Sequence, residues 1–147
     1  MNTQQRQTSK KENRAGMAKR RFRLRNLLPL FLVLPLTGAA FAKVEKYAEK
    51  DFNEALNQGK TVIVGVHASW CPTCKKQEPI IERLSSHKEF QKAIFFRVDL
   101  DHDREFLKRF NVSTQSTLIV FKGTKEIARS TGETSTEKIK ELFLRGM

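Results

Sequence analysis

Apolar positions change their period from one segment of the chain to the next. From Lys46 to Asn57 they fall at Tyr47, Ala48, Phe52, Ala55 and Leu56, the spacing of one helix face, and Gly59 stands where such a helix would be capped. Thr61 to Ala68 is rich in β-branched residues and predicts a buried strand. Pro72 to about Ser86 returns to a helical pattern. Pro72 lies in the first turn, where its missing N–H does no harm, and Pro79 lies inside, where a kink is expected. A second strand is predicted over Ala93 to Leu100, a short helix over Arg104 to Phe110, and a third strand over Thr117 to Lys122. Gly123-Thr124 turns the chain into a fourth strand, Glu126 to Thr131, which Gly132 ends. Thr134-Ser135-Thr136-Glu137 offers a capping box for a last helix running to about Arg145. Strands that alternate with helices and close on a hairpin predict an α/β fold. Its central mixed sheet has parallel strands plus an antiparallel C-terminal hairpin, with helices on both faces.

Charge divides the chain in two. Residues 1–42 carry nine Lys/Arg against one acid, Glu12, a balance of +8, whereas residues 43–147 carry 19 against 15, a balance of +4. The folded part is thus only mildly basic, and the high overall charge does not argue for nucleic-acid binding. The leader has the layout of an export signal. The basic stretch Lys19 to Arg25 precedes an uncharged apolar run from Leu27 to Ala42, which ends in Ala40-Phe41-Ala42. Cleavage is expected after Ala42, and Met17 is a candidate for the true start. The run is 16 residues long and holds Pro29 and Pro35, short of the roughly 20 residues a spanning helix needs. An uncleaved anchor is the alternative, with the domain outside the cytoplasm in both cases. The remaining 105 residues suit one domain, read as a monomer in a periplasmic or otherwise exported location.

The only two cysteines sit together in Trp70-Cys71-Pro72-Thr73-Cys74-Lys75, between the first predicted strand and the helix that follows. In an oxidising compartment a lone Cys-x-x-Cys pair with no other bridge reads as a dithiol that cycles rather than a staple. At the N-terminus of a helix, unpaired N–H groups and the helix dipole favour a thiolate on Cys71. Cys71 is the expected nucleophile and Cys74 the resolving thiol. Without a second pair the motif is too small for a closed zinc site, which takes four ligands.

Taken together these segments resemble the thioredoxin family, over essentially all of residues 45–147. The likeness rests on Trp70-Cys-x-x-Cys74-Lys75 after a hydrophobic strand, Pro79 five residues past Cys74, and Asp99-Leu100-Asp101 after the next strand. It also rests on Phe110-Asn111-Val112 before the Thr117 to Lys122 strand and on Gly132 before the last helix. Phe52-Asn53-Glu54-Ala55 with Gly59-Lys60 is most similar to exported thioredoxin-like domains. The resemblance implies thiol-disulfide exchange with protein clients and no cofactor beyond the dithiol. Trp70, Pro72, Thr73, Gln115, Ser116 and Thr117 would then meet the client.

Three positions depart from the family pattern. Pro72-Thr73 replaces the usual Gly-Pro between the cysteines, and a proline at the first of the two positions is similar to glutaredoxins and periplasmic disulfide oxidases. Ser116 stands where the family carries a cis-proline, and without proline a cis bond costs about 2.5–4 kcal/mol, so a trans Gln115–Ser116 bond is expected. Gly65 stands where many members carry a buried acid. The proton that Cys74 must lose therefore needs another acceptor. His67, on the strand face of Gly65, and Glu78, one helical turn past Cys74, are the candidates. Each has a plain alternative: a packed histidine in place of an aromatic, and an acid on a charged helix. Ser116 removes the proline ring and adds a hydroxyl able to bond a thiolate, or it is a harmless loop substitution. Asp99, Asp101, His102 and Asp103 read as strand-end and helix-start charges, not as a cation site.

The minimal domain, with no inserted client-binding unit, points to a reductase fed by a membrane thiol-disulfide relay; Pro72 points toward an oxidase. The competing functions are a metal or iron–sulfur module using the same cysteines and a redox-inactive adaptor.

Overall fold

The computed structural model describes residues 43–147; the stretch expected to be a leader, with the cleavage expected after Ala42, lies outside the described residues. Ten elements follow in order. They are β1 (Val44–Lys46), α1 (Glu49–Asn57), β2 (Thr61–His67), α2 (Pro72–Ser85) and a 3-10 turn (Lys88–Phe90). Then come β3 (Ile94–Asp99), α3 (Arg104–Arg109), β4 (Thr117–Lys122), β5 (Lys125–Thr131) and α4 (Thr136–Leu144).

The strands form one sheet in the order β1-β3-β2-β4-β5. Parallel pairs join β1 to β3 and β2 to β3, and antiparallel pairs join β2 to β4 and β4 to β5. The expected mixed sheet is present, but its antiparallel part reaches one strand further inward than alternation with helices implies. The chain after α3 enters β4 against the direction of β2, with Val66 opposite Thr117. The short edge strand β1 was not expected. Its three residues carry no alternation of their own, and only pairing with Phe95, Phe96 and Arg97 makes it a strand.

Side chains of the central strands alternate between two cores, as the two-residue period requires. Val62, Val64, Val66, Ile119 and Phe121 join Phe52, Leu56, Phe96 and Phe106 beneath α1 and α3. Ile63, Leu118 and Val120 join Ile81, Leu84, Phe95, Ile139 and Phe143 beneath α2 and α4. Phe52 is fully buried, and its ring meets Tyr47, Phe96, Phe106, Phe110 and Phe121, with centroids 5.4–5.9 Å apart. Four of these are edge-to-face contacts, the arrangement aromatic quadrupoles prefer.

Ends of elements follow local chemistry. Gly59 adopts φ +70° and returns its N–H to Leu56 O at 3.0 Å, closing α1. Helix α2 runs through Pro79 without interruption. The cap of α4 falls on Ser135, one residue later than the capping box places it. Ser135 Oγ accepts from the Lys138 N–H, and the Glu133 carboxylate accepts from the N–H groups of Thr134 and Ser135. Glu133, from outside the helix, thus does the reciprocal work expected of Glu137.

Truncating Phe52→Ala is expected to cost about 3–5 kcal/mol, because it empties the aromatic junction under α1 and α3. Urea unfolding of the reduced protein should show this as a lower midpoint with an unchanged slope.

Candidate active site

Strand β2 delivers the site. It is paired along both edges, and its C-terminal end opens into Ala68-Ser69-Trp70 and the first turn of α2. The Cys71 N–H donates to Ala68 O at 3.1 Å, folding the chain back so that Cys71 becomes the N-cap of α2. Pro72 follows at N1, where fixed φ and a missing N–H suit the helix start. As a cap, the Cys71 sulfur accepts the Cys74 N–H at 3.0 Å, taking the place a serine or aspartate oxygen usually fills.

The third group of the site comes from the segment before β4. Ser116 has φ +59°, a left-handed conformation that side chains other than glycine rarely adopt. Its N–H donates to Val66 O at 2.8 Å, and its carbonyl accepts from the Gly132 N–H at 2.9 Å and from Gln77 Nε2 at 3.1 Å. Held in this way, Ser116 Oγ lies 3.1 Å from Cys71 Sγ and 3.2 Å from Cys74 Sγ. All three side chains are buried and both cysteines are free thiols.

The two thiols are unequal. Burial raises the Cys71 thiol, but hydrogen bonds from the Cys74 thiol, the Ser116 hydroxyl and the backbone of Cys74 and Thr73 outweigh it, and its pKa falls below the ordinary thiol value. Burial raises the Cys74 thiol as well, and the bond to Cys71 adds to it. The Ser116 and Ala68 contacts only partly offset this, so its pKa lies above the ordinary value. One negative charge on the pair therefore belongs to Cys71.

Behind Cys74, between β2 and α2, lies a space of about 20 Å³, the room one ordered water needs. Gly65, His67, Cys74, Gln77 and Glu78 are among its lining residues. His67 Nδ1 and Glu78 Oε1 are 3.1 Å apart, and Arg97 Nε is 3.8 Å from the same Glu78 oxygen. The structure thus brings the two candidate proton acceptors together as one pair. A side chain at Gly65 would meet Ile81 Cδ1 at 3.4 Å, so the missing side chain leaves the space open.

The surrounding positions sort by exposure. Trp70 is 57% exposed and is oriented by a bond from its Nε1 to Asp101 Oδ2 at 3.0 Å. Pro72 is exposed, and Thr73 and Gln115 are half-buried. Thr117 is buried, and its hydroxyl donates to Thr114 O at 2.7 Å and meets Thr131 Oγ1 at 3.0 Å, so its side chain serves the loop. Asp99 accepts the N–H groups of Asp101 and His102, and Asp103 accepts that of Asp99, which makes the acidic cluster a hydrogen-bonded turn. Among the described residues no group of three or more His, Cys, Asp or Glu side chains is placed to hold a metal ion.

One member of the site was missed. Gln77 is 3% exposed, and its Nε2 donates to Ser116 O and to Glu133 O, at 3.1 and 2.6 Å. Its signal is positional: it shares the helix face of Cys74, Ile81 and Leu84, where a polar residue is out of place.

Comparison with known proteins places this geometry. The Thioredoxin family model matches residues 43–145. Thioredoxin-1 of Saccharomyces cerevisiae is 35% identical over 82 residues, covering 56% of this chain and 78% of that protein. Putative thioredoxin H10 of Arabidopsis thaliana is 34% identical over 110 residues, 71% of this chain and 70% of that one. The crystal structure of Trxlp from Edwardsiella tarda is 37% identical, with a TM-score of 0.67 over 69% of this chain and 98% of the other. The chain belongs to the thioredoxin family. It is a thiol-disulfide oxidoreductase whose redox-active pair is Cys71 and Cys74, acting on disulfide-containing proteins.

The unequal thiols give the reduced protein a peaked pH profile. Cys71 binds protons less tightly when folded, so its contribution to stability grows as pH rises from its folded pKa and is complete above the unfolded value of about 8.5. Cys74 binds them more tightly when folded, so stability falls as pH rises beyond that unfolded value. Urea midpoints of reduced protein should therefore climb and then decline, and Cys71→Ala should remove the climb.

Proposed function

We propose that the protein is an exported protein-disulfide reductase, with Cys71 as nucleophile and Cys74 as resolving thiol. The observation that carries the assignment of roles is the asymmetry of the pair: Cys71 caps α2, accepts the Cys74 N–H and has the lowered pKa, while the Cys74 pKa is raised. The Cys71 thiolate attacks one sulfur of a client disulfide, and the other client sulfur leaves as a thiolate. Cys74 then gives up its proton and attacks Cys71 Sγ. The bond from Cys71 to the client breaks, the second client sulfur leaves as a thiolate, and the Cys71–Cys74 disulfide remains. The His67–Glu78 pair takes the proton of Cys74 through the water-sized space that all three line. Trp70 and Pro72 supply the exposed apolar surface on which clients dock, with Thr73, Gln115 and the Ser116 backbone beside them.

Reduction rather than oxidation is favoured by the small domain. The chain passes from element to element through short connections and carries no inserted helical unit among its described residues. Export is favoured by the basic and apolar leader, and a reductase outside the cytoplasm needs electrons from a membrane thiol relay. The domain works as a monomer.

Reduction of insulin by a dithiol-regenerated enzyme tests the reading, together with the potential of the pair and its cell fraction. Cys71→Ser should abolish turnover, and Cys74→Ser should trap clients as mixed disulfides. A strongly oxidising pair that leaves insulin intact would rule out the reductase. Replacing the proton acceptors, as His67→Ala with Glu78→Gln, should slow turnover about tenfold to a hundredfold at neutral pH, with a smaller loss at alkaline pH.

A further inference from the structure

We propose that Ser116 is a catalytic residue of the dithiol centre, its hydroxyl bridging the Cys71 thiolate and the Cys74 thiol, and that Gln77 is the positioning residue that holds it there. The bridge serves the pair in either direction of exchange, so it goes beyond the choice between reductase and oxidase.

The geometry is that of a shared hydroxyl. Ser116 Oγ is nearly equidistant from the two sulfurs, at 3.1 and 3.2 Å, both within reach of a sulfur hydrogen bond. A serine hydroxyl has one hydrogen to give and two lone pairs to receive with. With one thiol ionised, two hydrogens remain for the three groups. The Ser116 O–H donates to the Cys71 thiolate, and the Cys74 S–H is shared between Ser116 Oγ and that thiolate. The opposite order would leave the charge on Cys74, yet it is Cys71 that also accepts the Cys74 N–H at 3.0 Å and caps the helix. The net shifts, Cys71 down and Cys74 up, put the charge on Cys71 as this order does.

The backbone supports the assignment. A serine that merely fills a loop has no need of φ +59°, a conformation that costs about 1–3 kcal/mol and persists only where neighbours over-determine it. Here they do. The Ser116 N–H and carbonyl are tied to Val66 and Gly132, and Gln77 reaches up from α2 to the same carbonyl. Because the second bond of Gln77 runs to Glu133 O, one buried amide fixes the Ser116 segment, the Glu133 turn and the helix that carries both cysteines. Of the other titratable groups around the pair, His67 from β2 and Glu78 from α2 line the space behind Cys74, and Asp101 is bonded to Trp70. Once Cys71 and Cys74 join as a disulfide, the thiolate that accepts from Ser116 is gone. The bridge therefore stabilises the reduced state and makes the pair more oxidising than it would be without the hydroxyl.

Titration of thiolate ultraviolet absorbance, and equilibration of the full chain with glutathione, test this. Ser116→Ala and Ser116→Gly should each raise the Cys71 pKa by about one and shift the glutathione equilibrium about tenfold toward the disulfide, the effect of one hydrogen bond to a charged group. Glycine tolerates φ +59°, so that variant keeps the fold even if alanine strains it. Gln77→Met should move both readouts in the same direction by a smaller amount. Unchanged values in Ser116→Gly would overturn the bridge. A Gln77→Met variant that loses thermal stability but keeps the wild-type Cys71 pKa would overturn the positioning role. Insulin reduction by the unaltered chain reports separately on the reductase reading, so the two fail independently.

Discussion

The site depends on one strand being locked from both sides. β2 pairs in parallel with β3 and antiparallel with β4, and its side chains enter both cores. Its register with β4 sets Val66 opposite Thr117 and lets Val66 O accept the Ser116 N–H. The same strand, a few residues on, hands the chain to Cys71. The cysteine pair and the hydroxyl that bridges it are thus fixed to one rigid element, so the separation of Ser116 Oγ from both sulfurs follows from sheet register rather than from loop preference.

From that placement comes the inequality of the two thiols. Both are buried, and burial alone would raise both pKa values. What separates them is the supply of hydrogen bonds. Cys71, as N-cap, receives backbone N–H groups at the positive end of α2, while Cys74, one turn inside, has its own N–H committed to Cys71. Cys71 is thus the readier of the two to ionise, and Cys74 the one that holds its proton longer. Behind it, the side chain absent from Gly65 leaves room that His67 and Glu78 border.

Much of this was legible along the chain. Every α-helix and all strands but β1 were legible from apolar period, β-branched runs or the turn and cap residues that bound them. Cys71 and Cys74 were legible because a lone Cys-x-x-Cys at a strand-to-helix junction has few other uses. His67 and Glu78 could be named singly, but their 3.1 Å contact joins a strand to a helix and no local pattern reports it. Gln77 went unread as a site residue, although its place on the apolar face of α2 marks it as anomalous. The antiparallel pairing of β4 with β2 was hidden for the same reason as β1: pairing is decided between strands, not within them.

By itself, then, the sequence determined the alternating elements, the two-faced burial of the central strands and the identity of the reactive pair. Those depend on the period of apolar residues and on chemistry within one short segment. Only the tertiary structure decided that Ser116, 42 residues after Cys74, sets its oxygen between two sulfurs. It also decided that Gln77 clamps that serine and that His67 and Glu78 meet and line one space. Each of these is a contact between residues whose separation in space is set by strand register and helix packing, and neither leaves a trace in local spacing.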